Sequence, residues 1–429
     1  MLSAKVPKKI TVRLLLVCAV AISVGLSMAL VSIGKLTLFV FGLAFLIHRY
    51  FAEPFQKTGG ISTAPHHTAR AVLAALIAFG VSLLWTSADA ADSAGSIAKY
   101  GKLLTILLLP LLLKNRCEVI CAISAFAAAQ LFLVGSSWLL FLGISLPWAT
   151  SYMAKTEFAV FSTYLDQSVM SATAAAVCWH LRYLAPGRFG KAIFIGISLL
   201  CISNILFLLH GRTGHVLAVV LLSLAVMWEL PKKYRWTILV LPAVFLAIFA
   251  AVSPKVQQRA LVMSGEIKAF STSKETNFLN GSSSGLRLHF WQRSIQSIAE
   301  SPVLGSGVGS WSNEYDRVEK HYNPTTGAKI NKRANPHQEY LLWGVQLGVA
   351  GIVLFVGFLL AVFRDTLKID TASARAAQSV LAALAVSCLF NSSIYDAHIG
   401  DFFCVALGLM LALAGHTPQP PRNTVVAAT

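Results

Sequence analysis

NPHQEYLLWGVQLG, residues 335–348, closes a polar run (254–338) and opens a long apolar one. An ionisable histidine therefore stands at the lip of an apolar helix. Asn335 suits an N-cap, Pro336 the first helical position, and Gln338 the place where a capping box carries Glu or Gln. The pattern predicts a helix with His337 in its first turn, beside unpaired amide hydrogens and the positive end of the macrodipole. That field disfavours imidazolium, so the ring should be neutral, as a general base must be. The same helix end attracts anions. A capping or interfacial histidine with no chemistry would occupy the same place.

The apolar run is one of many. Hydrophobic residues make up 56% of the chain and charged ones 12%, where a soluble domain carries roughly 25% charge. The composition defines an all-α polytopic membrane protein, and its length sets a span count rather than a number of cores. Twelve transmembrane helices are expected, near 11–28, 30–48, 69–86, 99–113, 118–142, 165–183, 190–209, 212–229, 235–252, 339–363, 374–392 and 399–415. The first two share one apolar run too long for a single crossing of ~20 residues, with the break expected between Ser27 and Gly34. The basic N-terminus resembles a signal peptide, but eleven further spans favour an uncleaved first helix. The expected organisation is nine spans in 1–253, an outer loop at 254–338, three spans in 339–415 and a disordered tail at 416–429.

Charge distribution orients these spans. Lys5, Lys8, Lys9 and Arg13 place the N-terminus in the cytoplasm, and together with alternate loops and Arg422 they put nineteen of the 35 basic residues inside. The short outer loops hold five: Lys35, Lys99, Lys102, Lys155 and Arg212. Much of the formal charge of +17 is therefore topological and gives no reason to invoke nucleic acid. The other basic residues lie in the long loop, which escapes this rule and is open to a functional reading. None of the seven cysteines lies in that loop, so it is not disulfide-stapled, and no spacing suits zinc. The stretch STSKETNFLNGSSSG (271–285) reads as flexible.

Within the loop, GLRLHFWQRSIQSIAESPVLGSGVGSW (285–311) predicts an amphipathic helix followed by a turn. Leu288, Trp291, Ile295 and Ile298 would form its apolar face, started by Ser284 and Gly285 and ended before Pro302. Arg287 and Arg293 on such a helix suit a membrane interface, solvated or touching lipid phosphates. GSGVGS (305–310) lacks the preceding strand and the Lys-Ser/Thr of a phosphate loop, so it reads as a tight turn docking the loop on the membrane domain. HGRTGH (210–215) opens span eight: Arg212 stands between His210 and His215, with Gly211 and Gly214 allowing backbone and ligand to approach closely. A snorkelling arginine is the alternative. Asp396, His398 and Asp401, with Asp166, gather at outer span ends, where they could hold an arginine or bind a metal; Asp89 and Asp92 lie in a short outer loop. No metal-ligand cluster stands out, and no metal site is assigned.

Three of these segments together resemble the O-antigen ligase and polymerase superfamily of bacterial envelopes. GRTG resembles its arginine motif, although a Ser-Arg pair is commoner there and Gly211 departs from it. Arg287, Trp291, Pro302, Gly305 and Gly307 match its Arg…Trp…Pro-x-x-Gly-x-Gly segment. His337, Tyr340, Leu341 and Gly348 match its Asn-x-His-x-x-Tyr-Leu…Leu-Gly ending. The motifs lie within 205–350, and the earlier spans match in hydropathy alone.

The resemblance implies a membrane glycosyltransferase of GT-C-like class, transferring glycan in the periplasm from an undecaprenyl-pyrophosphate-linked donor. For a ligase the acceptor is a sugar hydroxyl of the lipid A–core oligosaccharide, which completes lipopolysaccharide. It implies inverting, metal-independent chemistry without cofactors, in a multi-pass protein of the bacterial inner membrane with both termini cytoplasmic. His337 would be the base and Arg212 and Arg287 the pyrophosphate ligands, with Gln338, His215, Asp166 and Asp396 in support. The size and the single large outer loop favour a ligase over an O-antigen polymerase or a protein (pilin) O-oligosaccharyltransferase. A flippase for lipid-linked glycan would need polar residues midway along its spans, whereas the ionisable groups here gather at the outer ends.

Overall fold

The computed structural model describes residues 10–52, 65–252, 257–258, 261–262, 264–265, 283–322, 335–367 and 369–415. Lys5, Lys8 and Lys9, residues 271–282 of the stretch read as flexible, and the 416–429 tail lie outside the described residues. No strand occurs among the described residues. The helices are α1 Val12–Ser23, α2 Met28–Ala52, α3 His66–Val81, α4 Ala90–Gly101, α5 Leu104–Leu112, α6 Arg116–Phe141, α7 Ala154–Glu157, α8 Tyr164–Leu181, α9 Gly187–Ser203, α10 Arg212–Glu229, α11 Leu241–Val252, α12 Ser283–Glu300, α13 Trp311–Tyr322, α14 Glu339–Thr366, α15 Thr371–Phe390 and α16 Ala397–Gly415. Side-chain caps start several of them: Asp89 accepts from the Asp92 amide, Asn115 from Glu118, Thr163 from Asp166 and Asp370 from Ser373. Asp89, open to a metal-ligand reading in the sequence, is thus a helix cap.

Eight segments among the described residues are long and apolar enough to cross a membrane, or nine if the bent pair Lys232–Ile238 and Leu241–Val252 is one span. Length and composition alone therefore do not reach the expected twelve among the described residues. α1 has 12 residues, and the apolar part of the last helix, Ala397–Leu413, is also short. α8 is long enough but rich in Ala, Ser and Thr. It packs against α9, α10 and α15 and is buried continuously from Gln167 to Cys178, so protein rather than lipid surrounds it. The break between the first two helices falls earlier than expected. Gly25, at φ +88°, turns the chain after Ser23, whereas Gly34 lies inside α2 against Val20.

Ends expected on one side meet one another. On the inner side Arg13 pairs with Glu118 at 2.9 Å, Arg182 with Glu229 at 3.0 Å, and Arg375 donates to the Trp228 carbonyl. Asp365 there accepts from the Thr68 amide and hydroxyl. On the outer side Lys35 pairs with Asp401 at 2.7 Å, and His210 pairs with Glu157. Asp401 thus holds a lysine rather than an arginine.

The outer loop supplies its own packing partner. α12 buries Phe290, Arg293, Ser294 and Ser297; of the expected stripe Trp291 and Ile298 pack half-buried against the core, while Ile295 is 58% exposed. The reason is α13, a helix not anticipated from the sequence, which presents Trp311 and Tyr315 edge-on to Phe290. Arg293 is neither solvated nor against lipid. It is buried and donates to Glu319 at 2.5 Å, and His289 meets the same carboxylate oxygen at 2.9 Å.

GSGVGS docks the loop, as its sequence suggests. α14 breaks at Gly348 (φ 66°, ψ −159°), and the carbonyls freed there take amides from the turn. Ser306 donates to Val345 O at 2.8 Å and Gly307 to Gln346 O at 2.9 Å, while Val349 donates back to Pro302 O. On the other side Thr86 donates to Val308 O and Val308 N to the Ser82 hydroxyl, tying the turn to α3 and its extension. Gly307 sits at φ +86°, and a Cβ there would run into the Thr86 backbone. Gly307→Ala should therefore lose most of its folded yield. Strain and clash together amount to at least several kcal/mol, and monodispersity in detergent is the measurement that checks it.

Candidate active site

The site forms where five segments meet: the starts of α8 and α10, the start of α12, residues 335–338 ahead of α14, and the turn 391–396 between α15 and α16. The turn is anchored first. Glu339, fully buried, accepts from the Ile394 and Tyr395 amides at 3.0 and 3.2 Å and from Trp343 Nε1 at 2.9 Å. Trp343 packs edge-on against Phe79 and Tyr100, which stack at 4.1 Å and fix α3 and α4 against α14.

Both predicted arginines reach this place. Arg212 is the first residue of α10, and its Nη1 donates to Ser284 Oγ at 2.5 Å. Arg287 Nη2 donates to Asn391 Oδ1 at 3.3 Å, and Asn391 Nδ2 contacts Thr213 Oγ1 at 3.4 Å. Burial, and then the like charge of Arg212, hold Arg287 below the usual guanidinium value; Tyr164 and Asp396 act in the opposite direction. A guanidinium stays protonated regardless. Two fixed, half-buried positive charges in mutual repulsion are what an anionic group would relieve.

Asp396 is the acid of the cluster. Burial pushes it up to about 6, against the pull of Lys102, Lys99, an Asn335 hydrogen bond and Arg287. Asp166, at the start of α8, lies within electrostatic reach of it. Asn335 Nδ2 donates to Asp396 Oδ1 at 3.1 Å while Asn335 Oδ1 accepts from the His337 amide at 2.9 Å. One asparagine thereby links the acid to the histidine.

His337 is not in the first helical turn. α14 begins at Glu339, capped by Gln338, whose Oε1 accepts from the Leu341 amide at 2.6 Å. Asn335, expected as the cap, instead closes a tight turn onto His337, which sits at φ +54° in the left-handed region. The imidazole stacks over Phe290 at 6.4 Å and 24°. The helix end remains nearby, but the turn and the Phe290 ring orient the imidazole.

Other expectations shift in detail. Gly211 and Gly214 do not open space for a ligand: a Cβ on either would strike Ser168, so they let α10 press against α8. His215 Nδ1 lies 2.8 Å from the Gly211 carbonyl and braces the turn before Arg212. Among the described residues no three His, Cys, Asp or Glu side chains form a metal-binding group. The sequence reading missed Asn391, Asn335 as a bridge, and Glu339. A polar Asn-Ser-Ser at the end of an apolar helix and a glutamate at the head of another were the available signals.

An all-helical, multi-pass membrane protein with two guanidiniums, a carboxylate and a histidine converging at its outer helix ends is the class these features define. Residues 197–356 match the family model described as O-antigen ligase, and the match supports membership in the O-antigen ligase and polymerase superfamily. The matched interval runs from α9 past the break at Gly348 and contains Arg212, Arg287, His337 and the glycine turn. Asp166 and Asp396 lie outside it. No curated protein matches the chain.

Proposed function

We propose that the protein is an O-antigen ligase of the GT-C-like class: it transfers glycan from undecaprenyl pyrophosphate to a sugar hydroxyl of lipid A–core oligosaccharide. The reading places twelve crossings in the bacterial inner membrane, both termini in the cytoplasm and the site at the periplasmic face. The observation that carries it is the pairing of Arg212 with Arg287 beside the turn that Asn335 ties to His337. The imidazole removes the acceptor proton as the hydroxyl oxygen attacks the anomeric carbon from the face opposite the pyrophosphate, with inversion. The glycosidic bond to phosphate breaks, and the charge growing on the leaving pyrophosphate falls on fixed guanidiniums. Gln338 fixes the helix start behind the base. His215 braces Arg212, and Asp166 and Asp396 balance the cationic cluster.

With guanidiniums neutralising the leaving group, no metal is required. Transfer by purified protein should survive EDTA at full rate; loss restored by magnesium or manganese would reassign Asp166 and Asp396 as ligands. The ligase reading itself is tested by the lipopolysaccharide of a strain lacking the gene. A ligase defect leaves unsubstituted core and accumulated lipid-linked polymer. Core bearing a single repeat would show a polymerase instead.

A further inference from the structure

The turn 391–396 has two chemically different ends. At Asn391 it meets Arg287 and Thr213, beside Arg212. At Tyr395 and Asp396 it meets α4: Lys102, 3% exposed, donates to Asp396 O at 2.7 Å, and Lys99 Nζ lies 3.9 Å from the centre of the Tyr395 ring. The Tyr395 hydroxyl is fixed on Ser96 Oγ at 2.9 Å, so the ring that seats the ammonium is itself held. Asn335 ties His337 to this second end.

The lysines beside Lys99 are engaged by oxygen partners. Lys35 is paired with Asp401, and Lys102 is buried against a carbonyl. Lys99 is partly exposed, and among the described residues no carboxylate lies in ion-pair distance of it. It rests on an aromatic face and in the longer-range field of Asp396. A cation–π contact at an exposed site is weak and leaves the ammonium hydrogens that face away from the ring available to bind. An ammonium fixed at one edge and unpaired at the other, at the head of a helix bundle, is suited to an anionic oxygen.

We propose that Lys99 is a binding residue for a phosphate substituent on the acceptor. The inference rests on the glycosyltransferase reading above. In an inverting displacement the acceptor approaches opposite the leaving group, so its subsite belongs at the His337 end of the turn and the pyrophosphate at the arginine end. Lys99 stands at the former.

The test uses purified full-length protein in uncharged detergent with a lipid-linked glycan donor. The acceptors are lipid A–core oligosaccharide and the same material stripped of phosphate. Lys99→Gln should raise the acceptor KM about tenfold for the phosphorylated form and leave the donor KM unchanged. The stripped acceptor should serve both proteins equally, and Lys99→Arg should keep most of the affinity. Equal KM for wild type and Lys99→Gln on the phosphorylated acceptor overturns the proposal. So does a defect seen only after anionic phospholipid is added, which would mark Lys99 as a headgroup anchor. Should Lys99→Gln fold poorly, the wild-type KM for the two acceptors decides: no difference between them also overturns it. Absence of any transfer by the wild type instead refutes the glycosyltransferase reading itself.

Discussion

His337→Asn should abolish glycan transfer while leaving donor binding and folded yield nearly intact. Asparagine is the control of choice because His337 holds φ +54°, a conformation asparagine tolerates far better than alanine. Its amide cannot accept the acceptor proton, so the rate should fall 10²–10⁴-fold, about 3–5 kcal/mol of barrier. The structural loss is small, because asparagine keeps the left-handed turn and the backbone bond to Asn335 survives. The rate and the yield of monodisperse protein, measured on one preparation, separate the two. Near-normal transfer would make His337 a structural turn residue. The pH profile adds a second reading. Asp396, raised to about 6 by burial, is charged above that pH and neutral below it. Its compensation of Arg287 and the lysines is thus lost as pH falls through about 6. Asp396→Asn should remove that contribution to the acid limb of the rate.

Arg287→Ala should lower kcat/KM for the donor by about 10²–10³-fold, the scale on which losing one fixed donor to a developing anion is measured. Arg212→Ala should do the same. Lysine should rescue neither fully, since it cannot present two coplanar donors to one phosphate group. The stability effect should run the other way. Burial and the Arg212 charge both oppose Arg287 in the empty site, so the alanine variant should fold in equal or greater yield. Thermal unfolding in detergent, with and without inorganic pyrophosphate, checks this. The wild type should gain stability from the anion and each variant should gain less. Full activity in both alanine variants would reduce the arginines to interfacial anchors.

The helices were legible because apolar stretches and basic loops alternate along the chain, and each of the twelve expected spans has a helix. Their spanning character was less so. α8 is polar enough to fail a membrane test because its neighbours in the bundle, not lipid, surround it, and no local pattern encodes that. The start of α14 was off by one turn because Asn335 is the favoured capping residue by type, whereas Gln338 caps the helix in the fold. Asp396, sixty-one positions away, decides between them by taking the Asn335 amide. The glycine turn was read correctly as a dock, though the break at Gly348 that receives it was not foreseen. α13 had a signal that went unused: Trp311, Tyr315 and Val318 stand at helical spacing and are all buried. Its absence from the sequence reading left the second buried face of α12, with Phe290 and Arg293, unforeseen. Arg212, Arg287 and His337 were singled out through their motifs. Asn391 belongs to no motif, and only the packed turn brings it to Arg287.

The most direct measurement is transfer by the purified chain, given lipid-linked glycan and lipid A–core as the only substrates. Wild type should yield glycan covalently joined to the core, with release of undecaprenyl pyrophosphate, and His337→Asn should yield none. Glycan lengthened on its lipid carrier, with the core untouched, would contradict the account.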